Sequence, residues 1–284
     1  MRVFSQISLL TFSVVLSLAA TTNLLAADKA LSDRIGGLVR PYLDNEVVTG
    51  MTIGVLHKGE TTLLGYGRLG ADLSQKPDGD TIYEIGSVTK VFTGILLADE
   101  VIQGRVKLDE AAGELLPSGV KMPSHGNRAI TLQDLSTHVS GLPRLPDNLI
   151  MTVPDNPYST YTVKDLYAFL NSYKLSRDPG SKSEYSNLGQ GLLGQLLAHE
   201  QNITYEELLR QRITTPLNMT STTITLDKEQ RLRLAPPHLA DGQPASNWDI
   251  PTLAGAGAIQ HSQRYVAICR SKSLPPIRQT WRSD

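Results

Sequence analysis

Ser87-Val88-Thr89-Lys90 is the stretch of this chain whose residue types and spacing could do chemistry. It sits within Glu84–Gly94, where a strand-like segment gives way to a helical one. At a helix start, side chains at i and i+3 share a face, with Cβ atoms roughly 5–6 Å apart. That is close enough for the amine to take or relay the hydroxyl proton, which would make Ser87 a nucleophile and Lys90 its base. A helix N-terminus also points N–H groups at negative charge forming on a substrate. Taken alone, two fixed positions in four fit an N-cap serine and a surface lysine better.

A second polar group, Tyr185-Ser186-Asn187, follows Pro179-Gly180-Ser181-Lys182-Ser183-Glu184. A loop running into a helix can aim two side chains into one cleft. A tyrosine serves as a general base when neighbouring cations lower its pKa, and Lys90 would be such a cation. Asn187 can both donate and accept, so it can hold a substrate amide or the lysine. By itself this segment reads more simply as a surface-loop tyrosine beside an N-cap-like asparagine.

The pair of motifs carries more weight than either one. S-x-x-K with a second polar triplet and a K-T-G segment is the set used by serine β-lactamases and penicillin-binding proteins. The Y-S-N form here resembles class C β-lactamases and the related D-Ala-D-Ala carboxypeptidases and esterases. Ile130–Pro143, containing Leu135-Ser136-Thr137-His138 and Ser140-Gly141-Leu142-Pro143, is similar to a helix-and-loop signature of that family. Ile213–Thr222 is similar to its I-x-x-P-L-G-M-x-x-T segment, with Asn218 where glycine is usual. Asparagine tolerates left-handed backbone better than most residues. The four segments occur in the family's order, and the resemblance runs from about Lys29 to Ile259.

That resemblance implies an α+β fold of the β-lactamase type: an antiparallel sheet flanked by helices, plus a mostly helical part. It implies that Ser87 forms an acyl-enzyme, with Lys90 and Tyr185 sharing the role of base. Asn187 would orient Lys90 and bind the substrate amide, and the Ser87 N–H would be one oxyanion donor. The substrate would be a small-molecule β-lactam or a D-Ala-D-Ala peptide, handled by a monomer without cofactor or metal. His138 is expected to be structural. The other histidines, His57, His125, His199, His238 and His261, show no metal-ligand spacing, which argues against a zinc enzyme. The same residues serve a β-lactamase, a D-Ala-D-Ala carboxypeptidase or endopeptidase, and an esterase. A non-catalytic truncated remnant is a further alternative.

The elements that must position these groups show in the patterning. Residues 28–80 read as an N-terminal helix, with Leu31, Ile35, Leu38 and Tyr42 as its stripe, followed by a hairpin over Met51–Gly67 that turns at Gly59. From Ser87 a helix is expected to bury Val88, Phe92, Ile95 and Leu96. Residues 81–259 are mostly helix and loop, with threonine caps at Thr131, Thr162 and Thr204 and a helix from Gly189 to Ala198.

Composition bounds the setting. The 284 residues carry a net charge of −1, which makes no case for nucleic acid or an anionic membrane surface. Arg2, the apolar run Ile7–Ala20 and Ala26-Ala27 read as a signal peptide over 1–27, so a secreted or periplasmic protein is expected. That run is short for a membrane span, and no later segment is long enough. Cys269 is the only cysteine, so no internal disulfide can form.

The C-terminal segment departs from the resemblance. No Lys/His-Thr/Ser-Gly triplet follows Tyr185: Lys272 leads into Ser273-Leu274, and His57-Lys58-Gly59 lies in the N-terminal turn. Gln260–Asp284 has no amphipathic period and carries five Lys/Arg against one Asp. Back-translated and read one nucleotide later, Gln260–Ile268 permits Ser-Thr-Ala-Asn-Asp-Met-Leu-Arg, the helix start the resemblance calls for. The expectation is a frameshift near codon 260, a foreign and disordered tail over 260–284, missing C-terminal strands, and weak activity.

Overall fold

The computed structural model describes residues 29–70, 73–150, 152–239 and 241–262. The expected signal segment 1–27, Cys269 and the tail from residue 263 lie outside the described residues. The chain divides into two compact units, one ending at Gly79 and one beginning at Asp80.

In the first unit, helix α1 covers residues 29–44. Its packed face is the expected one only in part: Leu31 and Ile35 are half-buried, but Leu38 and Tyr42 are exposed and Val39 is buried instead. The cause lies in the hairpin. Tyr66 donates its hydroxyl to the Ser32 carbonyl at 3.3 Å, and its ring lies against Gly36. The helix therefore turns its Ser32-Gly36-Val39 side inward. Strands β1 (Gly50–His57) and β2 (Glu60–Gly67) pair antiparallel, with His57 opposite Glu60. Lys58 and Gly59 form the two-residue turn with φ of 49° and 85°, the left-handed geometry of a type I′ hairpin. Among the described residues no third strand joins this sheet.

The second unit holds the apolar core. Strand β3 (Ile82–Glu84) leads through a 3-10 turn (Gly86–Val88) into α2 (Thr89–Ile102). The α2 stripe is Thr89, Phe92, Thr93, Leu96, Leu97 and Glu100. Val88, expected inside, is exposed. It sits in the 3-10 turn, whose tighter winding breaks the 3.6-residue register before α2 begins.

Three short helices start as their threonines suggest. Thr131 caps α3 (Leu132–Ser136), Thr162 caps α4 (Val163–Ser172) and Thr204 caps α6 (Tyr205–Leu209). Each forms a reciprocal capping box with the acid three residues on. Helix α5 (Asn187–Glu200) begins two residues earlier than the apolar pattern suggests, because Ser186 caps it by accepting from the Gly189 N–H. Leu188, Leu192, Leu193, Leu196 and Leu197 of α5 are all buried.

After α6 come a π-helical turn (Arg210–Thr214), β4 (Thr222–Thr223) and α7 (Lys228–Arg231). Asn218 adopts φ of 55°, the left-handed geometry expected where glycine is usual. The chain then reaches α8 (Ala254–Gly257) and β5 (Gln260–Ser262). Helix α8 lies directly on α5, because Gly191 and Gly194 leave no side chain between the two backbones.

Strand β5 is the middle of a three-stranded antiparallel sheet in the order β3-β5-β4. Gln260, His261 and Ser262 are therefore ordered, against the expectation of a disordered tail from residue 260. Backbone pairing depends on N–H and C=O groups that every non-proline residue supplies. No helix among the described residues is long and apolar enough to cross a membrane.

Candidate active site

Three elements of the second unit bring the four expected residues to one place. The 3-10 turn and the first turn of α2 present Ser87 and Lys90 on one face. The N-terminus of α5 presents Asn187, and the loop before it presents Tyr185. Lys90 Nζ donates to Ser87 Oγ at 3.1 Å and to Asn187 Oδ1 at 2.8 Å. The Tyr185 hydroxyl donates to Ser87 Oγ at 2.6 Å. Ser87 is exposed and Lys90 half-buried.

The approach to α5 is held by a second loop, His138–Arg144. Glu184 N–H donates to the His138 carbonyl at 2.8 Å, and Asn187 N–H to the Arg144 carbonyl at 3.0 Å. Ser186 N–H donates to His138 Nδ1 at 3.2 Å. The Ser186 hydroxyl donates to the Pro143 carbonyl at 2.7 Å while accepting from Gly189 N–H. The His138 ring lies 4.7 Å from that of Tyr185. His138 thus acts on the position of Tyr185, in keeping with a structural part.

Electrostatics favour a proton-accepting pair. Burial lowers the Lys90 pKa below its ordinary value, and the Arg144 charge adds to this; the hydrogen bond and charge of Tyr185 oppose it only in part. Burial alone would raise Tyr185. Hydrogen bonding with Lys90 and Ser87, together with the charges of Lys90 and Arg144, outweighs that and lowers it. Both groups therefore lose a proton more readily than they would in water. A Ser87 hydrogen can rotate toward either of them.

Sequence reasoning missed several groups around the site. The Ala256 carbonyl in α8 accepts a third bond from Lys90 Nζ at 2.7 Å. A backbone acceptor between two glycines leaves no side-chain signal. Tyr158 lines the same cavity as Asn187, and burial raises its pKa. Arg144 stands directly after Leu142-Pro143, at the end of a recognised signature. A cavity of about 230 Å³ opens beside Ser87, lined among others by Asn187, Tyr158, Trp248, Ile250 and Gly257. A nucleophile, two basic partners and an adjoining cavity of mixed polarity form an arrangement suited to acyl transfer.

Comparisons with known proteins give the chain a family and a fold. A sequence model of the Beta-lactamase family matches residues 35–267. The D-alanyl-D-alanine-carboxypeptidase/endopeptidase AmpH of Escherichia coli K12 is 32% identical over 230 residues, covering 79% of this chain and 59% of that protein. A β-lactamase of the same strain is 26% identical over 211 residues, covering 74% of this chain and 53% of that one. The chain thus spans between about half and three fifths of the length of these relatives. The solved β-lactamase/D-alanine carboxypeptidase from Yersinia pestis superposes with a TM-score of 0.74 at 28% identity, over 83% of this chain and 66% of its own. A class C β-lactamase shares the fold at a TM-score of 0.73 and 22% identity, over 86% of this chain and 64% of its own. The family match spans Ser87, Lys90, Tyr185 and Asn187 together with both units that were described, and the chain belongs to the β-lactamase family, within the superfamily of serine β-lactamases and penicillin-binding proteins.

Proposed function

We propose that this chain is a secreted serine hydrolase of the class C type, which opens β-lactam amides through an acyl-enzyme on Ser87. The observation that carries the reading is that Ser87 Oγ lies within hydrogen-bond distance of both Lys90 Nζ and the Tyr185 hydroxyl. Ser87 Oγ attacks the carbonyl carbon as its proton passes to the Lys90–Tyr185 pair. The amide C–N bond then breaks, and the same pair returns the proton to the leaving nitrogen. Water, deprotonated in the same way, releases the acyl group. Asn187 accepts from Lys90 and lines the cavity beside Ser87, where its amide can meet the substrate. The N-terminal apolar run supports export to the periplasm.

A fluorescent penicillin should label the purified chain on Ser87, and the label should be lost in Ser87→Ala. Failure of the wild type to label overturns the reading, and rapid nitrocefin turnover overturns the expectation of weak activity. A second reading, D-Ala-D-Ala carboxypeptidase or endopeptidase action, is favoured by the 32% identity to AmpH. Release of D-alanine from a D-Ala-D-Ala peptide, with a long-lived penicillin adduct, would select it.

A further inference from the structure

Tyr185 is gripped on more than its hydroxyl. Arg144 Cζ lies 5.2 Å from the centre of its ring, Lys90 Nζ lies 4.7 Å from that centre, and the His138 ring stands at 4.7 Å. Two cations and an imidazole therefore face one phenol. Lys90 is already committed, since it donates to Ser87, Asn187 and Ala256. None of the ion pairs among the described residues includes Arg144. Its charge is left to act on the ring. The Arg144 carbonyl also accepts from Asn187 N–H at 3.0 Å and Leu188 N–H at 3.2 Å. One residue thus touches the tyrosine through its side chain and the first turn of α5 through its backbone.

We propose that Arg144 is a positioning residue for Tyr185: its guanidinium holds the phenol ring toward Ser87 and favours the phenolate that would accept the serine proton. The inference rests on the reading of Ser87 and Tyr185 as nucleophile and base. The geometry is that of a cation over a ring face, an attraction of electrostatic origin. The side chain is exposed, so its effect is screened by water and salt. The other groups facing Tyr185 are Lys90 from α2, His138 from the opposing loop, and Tyr158, which feels the tyrosine's charge. His138 is held neutral by burial and by Lys90, so Arg144 and Lys90 are the two groups that stabilise negative charge on the phenol. A substitution at Arg144 keeps the backbone carbonyl, so the start of α5 is retained while the charge is lost.

The test has two readouts. Tyrosine labelled with ¹³C at Cζ reports the titration of Tyr185 by NMR, with the signal assigned by its loss in Tyr185→Phe. The pH profile of acylation by a fluorescent penicillin reports the same group at work. In Arg144→Gln the Tyr185 midpoint should move upward, and acylation at pH 7 should fall about three- to tenfold. Raising the pH should recover that rate, and Arg144→Lys should restore most of both. If Arg144→Gln does not fold, Arg144→Met, which keeps the aliphatic stem, takes its place. An unmoved midpoint overturns the proposal, even if acylation slows. So does a change confined to the penicillin concentration needed for half-maximal labelling, which would make Arg144 a substrate anchor. Failure of the wild type to acylate at any pH would instead overturn the reading of the site, and the NMR titration would still report on Arg144.

Discussion

The Tyr185 hydroxyl lies 2.6 Å from Ser87 Oγ, although the two residues are 98 positions apart in the chain. Nothing local holds that distance. It depends on the capped start of α5 and on the loop from His138 to Arg144. Removing the hydroxyl alone tests its part in the chemistry. Tyr185→Phe should keep the ring between His138 and Arg144 and leave stability nearly unchanged. Acylation should fall by about 10²–10⁴, the usual worth of a general base. Stopped-flow acylation that matches wild type would remove Tyr185 from the mechanism.

Beneath the site, Thr93 Oγ1 lies 2.7 Å from the Tyr205 hydroxyl and donates to the Gly255 carbonyl at 2.7 Å. Since Thr93 has one proton, Tyr205 must donate to it. Thr93→Val leaves a buried phenol and a buried carbonyl without that partner, at about 1–3 kcal/mol for each orphaned group. Tyr205→Phe leaves the Thr93–Gly255 bond in place and should cost only about 1 kcal/mol. Urea unfolding of the two variants should rank them in that order, and equal losses would mean that the network does not carry the stability assigned to it.

Two glycines on neighbouring helices should respond to alanine with opposite signs. A Cβ on Gly94 of α2 would meet nothing within 4 Å, so Gly94→Ala should stabilise by about 0.5–1 kcal/mol through helix propensity. A Cβ on Gly191 of α5 would stand 2.7 Å from Leu253 Cβ and 2.8 Å from its Cα. Backbone cannot yield as a flexible side chain can, so overpacking of about 1–3 kcal/mol exceeds the propensity gain. Gly191→Ala should also push α8, and with it the Ala256 carbonyl, away from Lys90. Thermal melts and acylation rates measured together check both signs.

His138 supplies an acid-sensitive joint. Burial, with the nearby Lys90 charge, holds its pKa below the ordinary value of 6.5. Its Nδ1 must stay unprotonated to accept from Ser186 N–H. The unfolded chain then binds a proton first as the pH drops, so folding stability should decline from about pH 6.5 down through the lower folded pKa, and be complete above that window. Asparagine tolerates the φ of 62° found at His138, and its side-chain oxygen can accept the same bond. His138→Asn should flatten part of the decline between pH 8 and pH 5. A variant that loses as much stability over that range as wild type would show that the decline originates elsewhere, for example at the half-buried His261.

The parts of this fold that were legible in the sequence are those where one residue type has one mechanism. Thr131, Thr162 and Thr204 announced their capping boxes, Lys58-Gly59 its hairpin turn and Asn218 its left-handed backbone. In α2, Phe92 and Leu96 are buried and Ile95 packs against the core as the pattern suggested, but Thr89, Thr93 and Glu100 were missed because they are polar and buried, satisfied by partners that a hydrophobic pattern cannot register. Glu100 takes a bidentate bond from Arg105. Beyond Ile35 the packed side of α1 was misjudged, because the Tyr66 ring, arriving from a later strand, helps to set it. In the site, Ser87, Lys90, Tyr185 and Asn187 were found because side chains carry their chemistry. The Ala256 carbonyl was not, because its position comes from the approach of α8 to α5.

An ammonium group has three hydrogens, and Lys90 aims all three at protein oxygens: Ser87 Oγ, Asn187 Oδ1 and the Ala256 carbonyl. None is left over for solvent. A departing proton has three lines to follow, and two end at carbonyl oxygens too weakly basic to keep it. The third leads to Ser87, beside which Tyr185 also interacts with Lys90, and both can pass a proton onward. The two mute acceptors thereby give the lysine a direction, so that its traffic runs toward the nucleophile and its tyrosine.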